Sequence, residues 1–273
     1  MKQTLRPLLA AFCIAALFTA CKKETKEVVN DEVSPAVMAK IQALGFSTDG
    51  AKKVEEGYLV EGDIILTHDQ VNDLTQSHEL IVANEEHYRT TNLVNPSSYP
   101  TIRVRLASSS SSHSAVFTAA LDEAIRRYNA ENLRVKFQRV SSGQHVTVEA
   151  YYQVSNTLGS AGFPTSSGAP YNRVRMNTYW YSTSTSTTNR NYIATIMAHE
   201  LGHCIGFRHT DYMNRAYSCG GSSVNEGSAG VGAIHIPGTP TGASSGSWML
   251  ACIGSNQNRN FTSADRTALN YVY

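Results

Sequence analysis

The run His199-Glu200-Leu201-Gly202-His203-Cys204-Ile205-Gly206-Phe207-Arg208-His209 constrains this 273-residue chain more than any other stretch. On a helix, residues four apart lie about 40° apart around the axis and roughly 6 Å along it. His199 and His203 therefore share a face and can reach one divalent ion at about 2.0–2.1 Å. Glu200 stands beside that face, placed for a water on the metal rather than for the metal itself. A continuing helix would carry His209 to another side. Gly206 supplies the exit, because glycine takes a helix-ending positive φ without steric cost and lets the chain return His209 to the pair. Three imidazoles leave one tetrahedral position open, which separates a catalytic zinc site from a closed structural one. Zinc in such a site brings a water's pKa toward neutrality and polarises a carbonyl. Glu200 is then placed to take the proton and deliver it to a leaving amine. A structural zinc site, or scattered core histidines, would need neither Gly206 nor His209 at this spacing.

H-E-x-x-H-x-x-G-x-x-H resembles the metzincin signature, which a methionine in a tight turn beneath the metal completes. Met249, in Ser247-Trp248-Met249-Leu250, lies forty residues after His209 and is similar to that turn. Residues from about 98 to 273 resemble the bacterial HEIGH-type metallopeptidases, with Leu201 where isoleucine is common. The resemblance implies an α+β, metzincin-like catalytic domain. Its parts are a twisted, mostly parallel sheet with an edge strand over the cleft, two main helices including the zinc helix, and a C-terminal subdomain with Met-turn and terminal helix. It also implies one Zn²⁺ on His199, His203 and His209, Glu200 as base and acid, support from Gly206 and Met249, and a protein or peptide substrate. Two departures stand out. Thr210 and then Asp211 follow the third histidine, where astacins have Glu and adamalysin-like enzymes Asp directly after it. Ala251 takes the place of the zinc-reaching tyrosine of astacins and serralysins. An oxyanion-stabilising tyrosine would come from elsewhere, with Tyr179, Tyr212 and Tyr217 as candidates. A non-catalytic surface binding protein keeping the same shell is the alternative function; the intact Glu200 argues against it.

The N-terminus reads as an address. Lys2 and Arg6 precede thirteen apolar or small residues, 8–20, too short to span a bilayer but right for a signal-peptide core. Leu17-Phe18-Thr19-Ala20-Cys21, followed by two lysines, resembles a bacterial lipoprotein signal with Cys21 as the lipidated residue. The expectation is an exported protein held to a membrane by a lipid anchor at Cys21 rather than a transmembrane helix, or else a secreted one. Net charge is +1 and no basic block exceeds a few residues, which speaks against nucleic acid as a partner.

Five cysteines divide by position. Cys13 belongs to the signal and Cys21 to the anchor, leaving Cys204, Cys219 and Cys252. One disulfide and one leftover thiol suit an oxidising compartment. Cys204 sits one residue off the ligand face and reads as packing. A Cys219–Cys252 bridge is the preferred pairing, with a bridge through Cys204 still open.

Residues 1–20 are thus a signal peptide, 21–34 a lipidated cysteine and tether, 35–94 a small N-terminal region and possible pro-segment, and 95–273 the catalytic domain. Apolar spacing predicts helices over 35–44, 114–129 and 263–272, and a short helix opened by Thr67 with Gln70 three residues on. Strands are expected over 57–66 (with a turn), 101–107, 133–140, 146–152 and, at the sheet edge, 174–179. Residues 182–188 read as loop, with Asn189 or Asn191 capping the zinc helix. The loop 233–240 is expected to help set specificity or to be a rigid surface loop, and His235 to be structural. Val60-Glu61-Gly62-Asp63 resembles the F-x-G-D pro-segment motif of astacins, which implies that Asp63 takes the water position on zinc and keeps the enzyme latent. A plain β-turn with Asp63 exposed is the competing reading and the one expected.

Overall fold

The computed structural model describes residues 32–72, 87–107, 112–223, 225, 232–240 and 243–273. The signal and anchor positions, Cys13 and Cys21 included, lie outside them. Ser34 caps helix α1 (Pro35–Ala43), whose first position tolerates proline because that N–H has no partner in any helix. Strands β1 (Lys52–Val54), β2 (Gly57–Val60) and β3 (Ile64–Thr67) form an antiparallel meander. Thr67 and Gln70 exchange hydrogen bonds of 3.2 and 2.9 Å, the capping box that opens α2 (His68–Asn72). Strands β4 (Tyr88–Arg89) and β5 (Thr101–Leu106), helix α3 (Ser114–Ala130) and strands β6 (Lys136–Arg139) and β7 (Val146–Tyr151) follow. Next come β8 (Gly159–Ala161), β9 (Arg173–Asn177), α4 (Thr187–Cys204), α5 (Ala216–Cys219), β10 (Ile234–His235) and α6 (Ser263–Val272).

Among the described residues, eight strands make one mixed sheet in the order β1-β2-β3-β8-β9-β7-β5-β6. The run β9-β7-β5-β6 is parallel throughout, while β8 is antiparallel to β9. Strand β3 joins β8 in parallel, pairing Ile64 with Ala161, so the N-terminal strands extend the sheet. Alternation sets the faces. Ile102, Val104, Val146, Val148, Val174 and Met176 are buried, whereas Arg103, Arg105, Glu149, Arg173 and Arg175, at the intervening positions, are not. Val116, Phe117, Ala120, Leu121, Ala124 and Tyr128 recur at helical spacing on α3 and are fully or almost fully buried in the same core.

Helix α4 is different: every residue from Tyr192 to Cys204 is buried. Its polar members Thr195, His199, Glu200 and His203 therefore need partners or a ligand. Some come from α3, since the Tyr128 hydroxyl donates to the Ala198 carbonyl at 2.7 Å and Arg127 donates to Thr195 Oγ1 at 3.0 Å. At the other end of the chain, Thr262 and Asp265 form the capping box of α6. Residues 31–273 form one compact unit, in which Asn95 closes a turn by accepting from the Ser97 N–H.

Three elements depart from expectation. Strand β9 is internal, because Gly159-Ser160-Ala161 pairs along its outer side. That short run lacks the branched and aromatic residues that mark strands, and only backbone pairing makes it one. Helix α4 begins at Thr187 with Ser186 as its cap, inside the stretch read as loop. Asn189 instead donates backward to the Ser182 and Ser184 carbonyls at 2.9 and 2.7 Å. Strand β6 is four residues long because Leu133 and Val135 pack in the core while the Arg134 N–H donates to the Tyr273 carbonyl rather than to the ladder.

Candidate active site

Helix α4 ends in a Schellman motif: the Phe207 N–H donates to the Gly202 carbonyl and the Gly206 N–H to the His203 carbonyl, each at 2.9 Å. Gly206 has φ 105°, the conformation that favours glycine and turns the chain. The Thr210 N–H then donates to the Met249 carbonyl at 2.9 Å, which fixes the returning strand that carries His209. One nitrogen from each of His199, His203 and His209 and one oxygen of Asp63 consequently lie within 4.8 Å of one another.

The second nitrogens decide what this cluster is. His199 Nδ1 donates to the Trp248 carbonyl and His203 Nδ1 to the Phe207 carbonyl, each at 2.8 Å. Both Nε2 atoms are left with lone pairs, yet they face each other at 3.1 Å. Two bare lone pairs at that distance repel, and a cation between them removes the conflict. Burial holds His203 well below the usual histidine range, and His199 and His209 push the same way, so its imidazole is neutral and ligand-competent. Zinc fits this donor set.

Asp63 is not exposed. Its turn exists, with Glu61 at φ 55° and Gly62 at φ 93°. However, Asp63 Oδ2 lies 3.2 Å from His209 Nε2 and 3.4 Å from His199 Nε2. Burial alone would raise this carboxyl, but His209 and His199 outweigh it and hold Asp63 well below the usual carboxylate range. The turn reading was right about the backbone and wrong about the side chain, which is directed into the histidine cluster. The same turn is anchored by Glu61, whose Oε2 lies 3.6 Å from Arg208 Nη2 in a fully buried pair. Arg208 also covers the Phe46 ring at 4.7 Å.

Glu200 is 2 % exposed, and its Oε2 has no hydrogen-bond partner among the described residues. Burial pushes it well above the usual carboxylate range, Asp63 pushes further, and His209 pulls back. It packs against β8: a Cβ on Gly159 would sit 2.7 Å from Glu200 Oε1, so a larger residue there would displace the carboxylate. Nothing in the sequence singled out Gly159; a glycine before two small residues carries no strand signal.

Met249 is fully buried in the turn closed by the Leu250 N–H on the Ser247 carbonyl, with Sδ beneath Gly202, where a Cβ would approach to 2.6 Å. Asp265 of α6 fixes this turn, accepting from Ser247 Oγ at 2.7 Å and the Trp248 N–H at 3.4 Å. The role of Trp248, as acceptor for His199, was invisible in sequence because it is played by a carbonyl. Cys219 and Cys252 form a disulfide, and Cys204 is a free buried thiol that burial pushes well above its usual pKa. Asp211, one residue beyond the signature position, accepts from the Ala251 N–H and Ser218 Oγ.

A cavity of about 410 Å³ opens beside His199 and Glu200. Its walls come from residues 156–159, from Tyr192, Thr195 and Ile196 of α4, and from residues 250–253, 255 and 259 after the turn. Tyr179, Tyr212 and Tyr217 do not line it, and neither does any described residue of the loop 233–240. That loop is drawn elsewhere by β10 pairing with β4, and His235 bonds Thr239 Oγ1 at 3.0 Å.

Three imidazoles converging beside a buried glutamate whose Oε2 is unbonded form a site able to hold a metal ion next to a proton acceptor. Sequence comparison gives the chain a family. The model of the dual-action HEIGH metallo-peptidases matches residues 58–273, and the chain belongs to that family. A structure of myroilysin is similar at 18 % identity and a TM-score of 0.41, over 66 % of this chain and 93 % of that one. No curated protein matches the chain.

Proposed function

We propose that this chain is an exported zinc endopeptidase that is latent as synthesised. The observation that carries this is the pair of Nε2 atoms 3.1 Å apart with both Nδ1 atoms committed to carbonyls, next to an unbonded Glu200 Oε2. His199, His203 and His209 would hold the ion. Bound there, zinc supplies Lewis-acid polarisation of the scissile carbonyl and acidification of a water. Glu200 Oε2 takes a proton from water and returns it to the leaving amine. With β3 displaced, the side of β8 that it pairs would offer main-chain groups to an extended peptide beside Glu200.

Latency rests on two features. Asp63 fills the space between His209 and His199 that a water needs, and β3 pairs with β8 where a substrate would lie. The buried Glu61–Arg208 pair keeps that segment seated, since breaking such a pair costs about 3–5 kcal/mol. Asp63→Ala is therefore expected to raise peptidase activity of the uncleaved chain several-fold, read with a quenched fluorescent peptide. Unchanged activity would remove Asp63 from regulation. For location, no described helix is long and apolar enough to cross a membrane, and the proposed tether is lipid on Cys21, after a signal peptide over 1–20.

Casein or gelatin cleavage by the chain after limited proteolysis of its N-terminal region, with and without a chelator, tests the proposal as a whole. Activity is expected to fall to background on chelation and to return with Zn²⁺, with about one metal per chain by elemental analysis. Cleavage indifferent to the chelator, or purified protein without a transition metal, would refute it.

A further inference from the structure

The cavity beside Glu200 carries a charge that the hydrolytic chemistry does not use. Leu158, Tyr192, Ile196, Leu250 and Ile253 make its walls largely apolar, yet Arg259 lines it too. The main chain fixes Arg259 in place: its N–H donates to Thr195 Oγ1 and its carbonyl accepts from Arg127 Nη1, both at 3.1 Å. Its half-buried guanidinium has no hydrogen bond or ion pair among the described residues. Asp211 and Asp265 attract it only from a distance and are already engaged, Asp211 with Ala251 and Ser218, Asp265 with His87, Ser247 and Thr262. Loss of water pulls its pKa below the usual arginine value. A half-desolvated fork of N–H donors facing an apolar hollow is suited to one kind of visitor, a carboxylate accepting two parallel hydrogen bonds.

Location says which carboxylate. Glu200 lines the same cavity and delivers the proton to the leaving amine, so the side chain that enters belongs to the residue contributing that amine. Arg215 adds a second cation to the wall, whereas the acids Glu61 and Asp63 that also line it are committed to Arg208 and to the histidines. We propose that Arg259 makes this cavity a recognition pocket for an acidic side chain, so that the enzyme cleaves on the amino side of glutamate or aspartate. This deepens the peptidase reading and rests on it.

The test uses zinc-loaded full-length chain carrying Asp63→Ala, with fluorogenic peptides identical except for Glu, Gln or Leu after the scissile bond. The Glu peptide is expected to exceed the Gln peptide in kcat/KM by roughly 10–100-fold, the worth of a charge-assisted pair. Arg259→Gln should bring that ratio close to one, and Arg259→Glu should place the Gln peptide ahead of the Glu peptide. Calorimetry gives a readout apart from turnover: a product peptide beginning with Glu should bind more tightly than its Gln counterpart, and Arg259→Gln should erase the difference. Equal cleavage of all three peptides, or a Glu preference that survives Arg259→Gln, would overturn the assignment. Metal-loaded protein that, after limited proteolysis within residues 35–94, cleaves none of the peptides, nor casein, would overturn the peptidase reading and this one with it.

Discussion

Glu200→Gln is expected to lower kcat/KM on peptides by about 10²–10⁴-fold while leaving one metal per chain in place. The substitution keeps the shape of the side chain, so the tight contact with Gly159 survives and β8 need not move. It removes only the ability to accept and return a proton. Metal content should be unchanged because His199, His203 and His209 provide the nitrogens, with Asp63 as the acidic neighbour of the cluster. Elemental analysis and activity on one preparation separate the two quantities. Near-normal turnover would reduce Glu200 to a packing residue, and a variant stripped of metal would mean that the glutamate helps to hold the ion.

A larger loss is expected from His203→Ala, which should take both activity and bound metal to background. His203 is fully buried, with Nε2 in the cluster and Nδ1 on the Phe207 carbonyl. Alanine removes a ligand and also leaves that carbonyl without its donor, a stability cost of about 1–3 kcal/mol beyond the lost metal. The comparison is His235→Ala, a histidine bonded to Thr239 Oγ1 and outside the cluster. That protein should keep its metal. Equal metal loss in both would point to general unfolding rather than to a ligand.

Where side-chain periodicity dictates structure, the sequence was easy to read. Helices α3 and α6 announce themselves because Val116, Phe117, Ala120, Leu121 and Ala268, Leu269, Val272 repeat at helical spacing. The ligand run was legible for the same reason, together with Gly206, whose positive φ the turn demands. What escaped depends on backbone atoms or on distant partners. Strand β8 is made by pairing alone, Trp248 acts through its carbonyl, and Ser186 caps a helix within a tract of serines and threonines. Asp63 misled because one tetrapeptide can satisfy a turn locally and a cluster of imidazoles globally. Only the second depends on residues more than a hundred positions away.

The link between α6 and the histidines bears on the order of assembly. His199 leans on the Trp248 carbonyl, and Trp248 is held by Asp265, so the imidazole's orientation is set by residues far downstream. A chain made amino-end first presents its histidines well before the segment that aims them. Metal captured in finished geometry thus waits until the segment carrying Asp265 has been made and has docked.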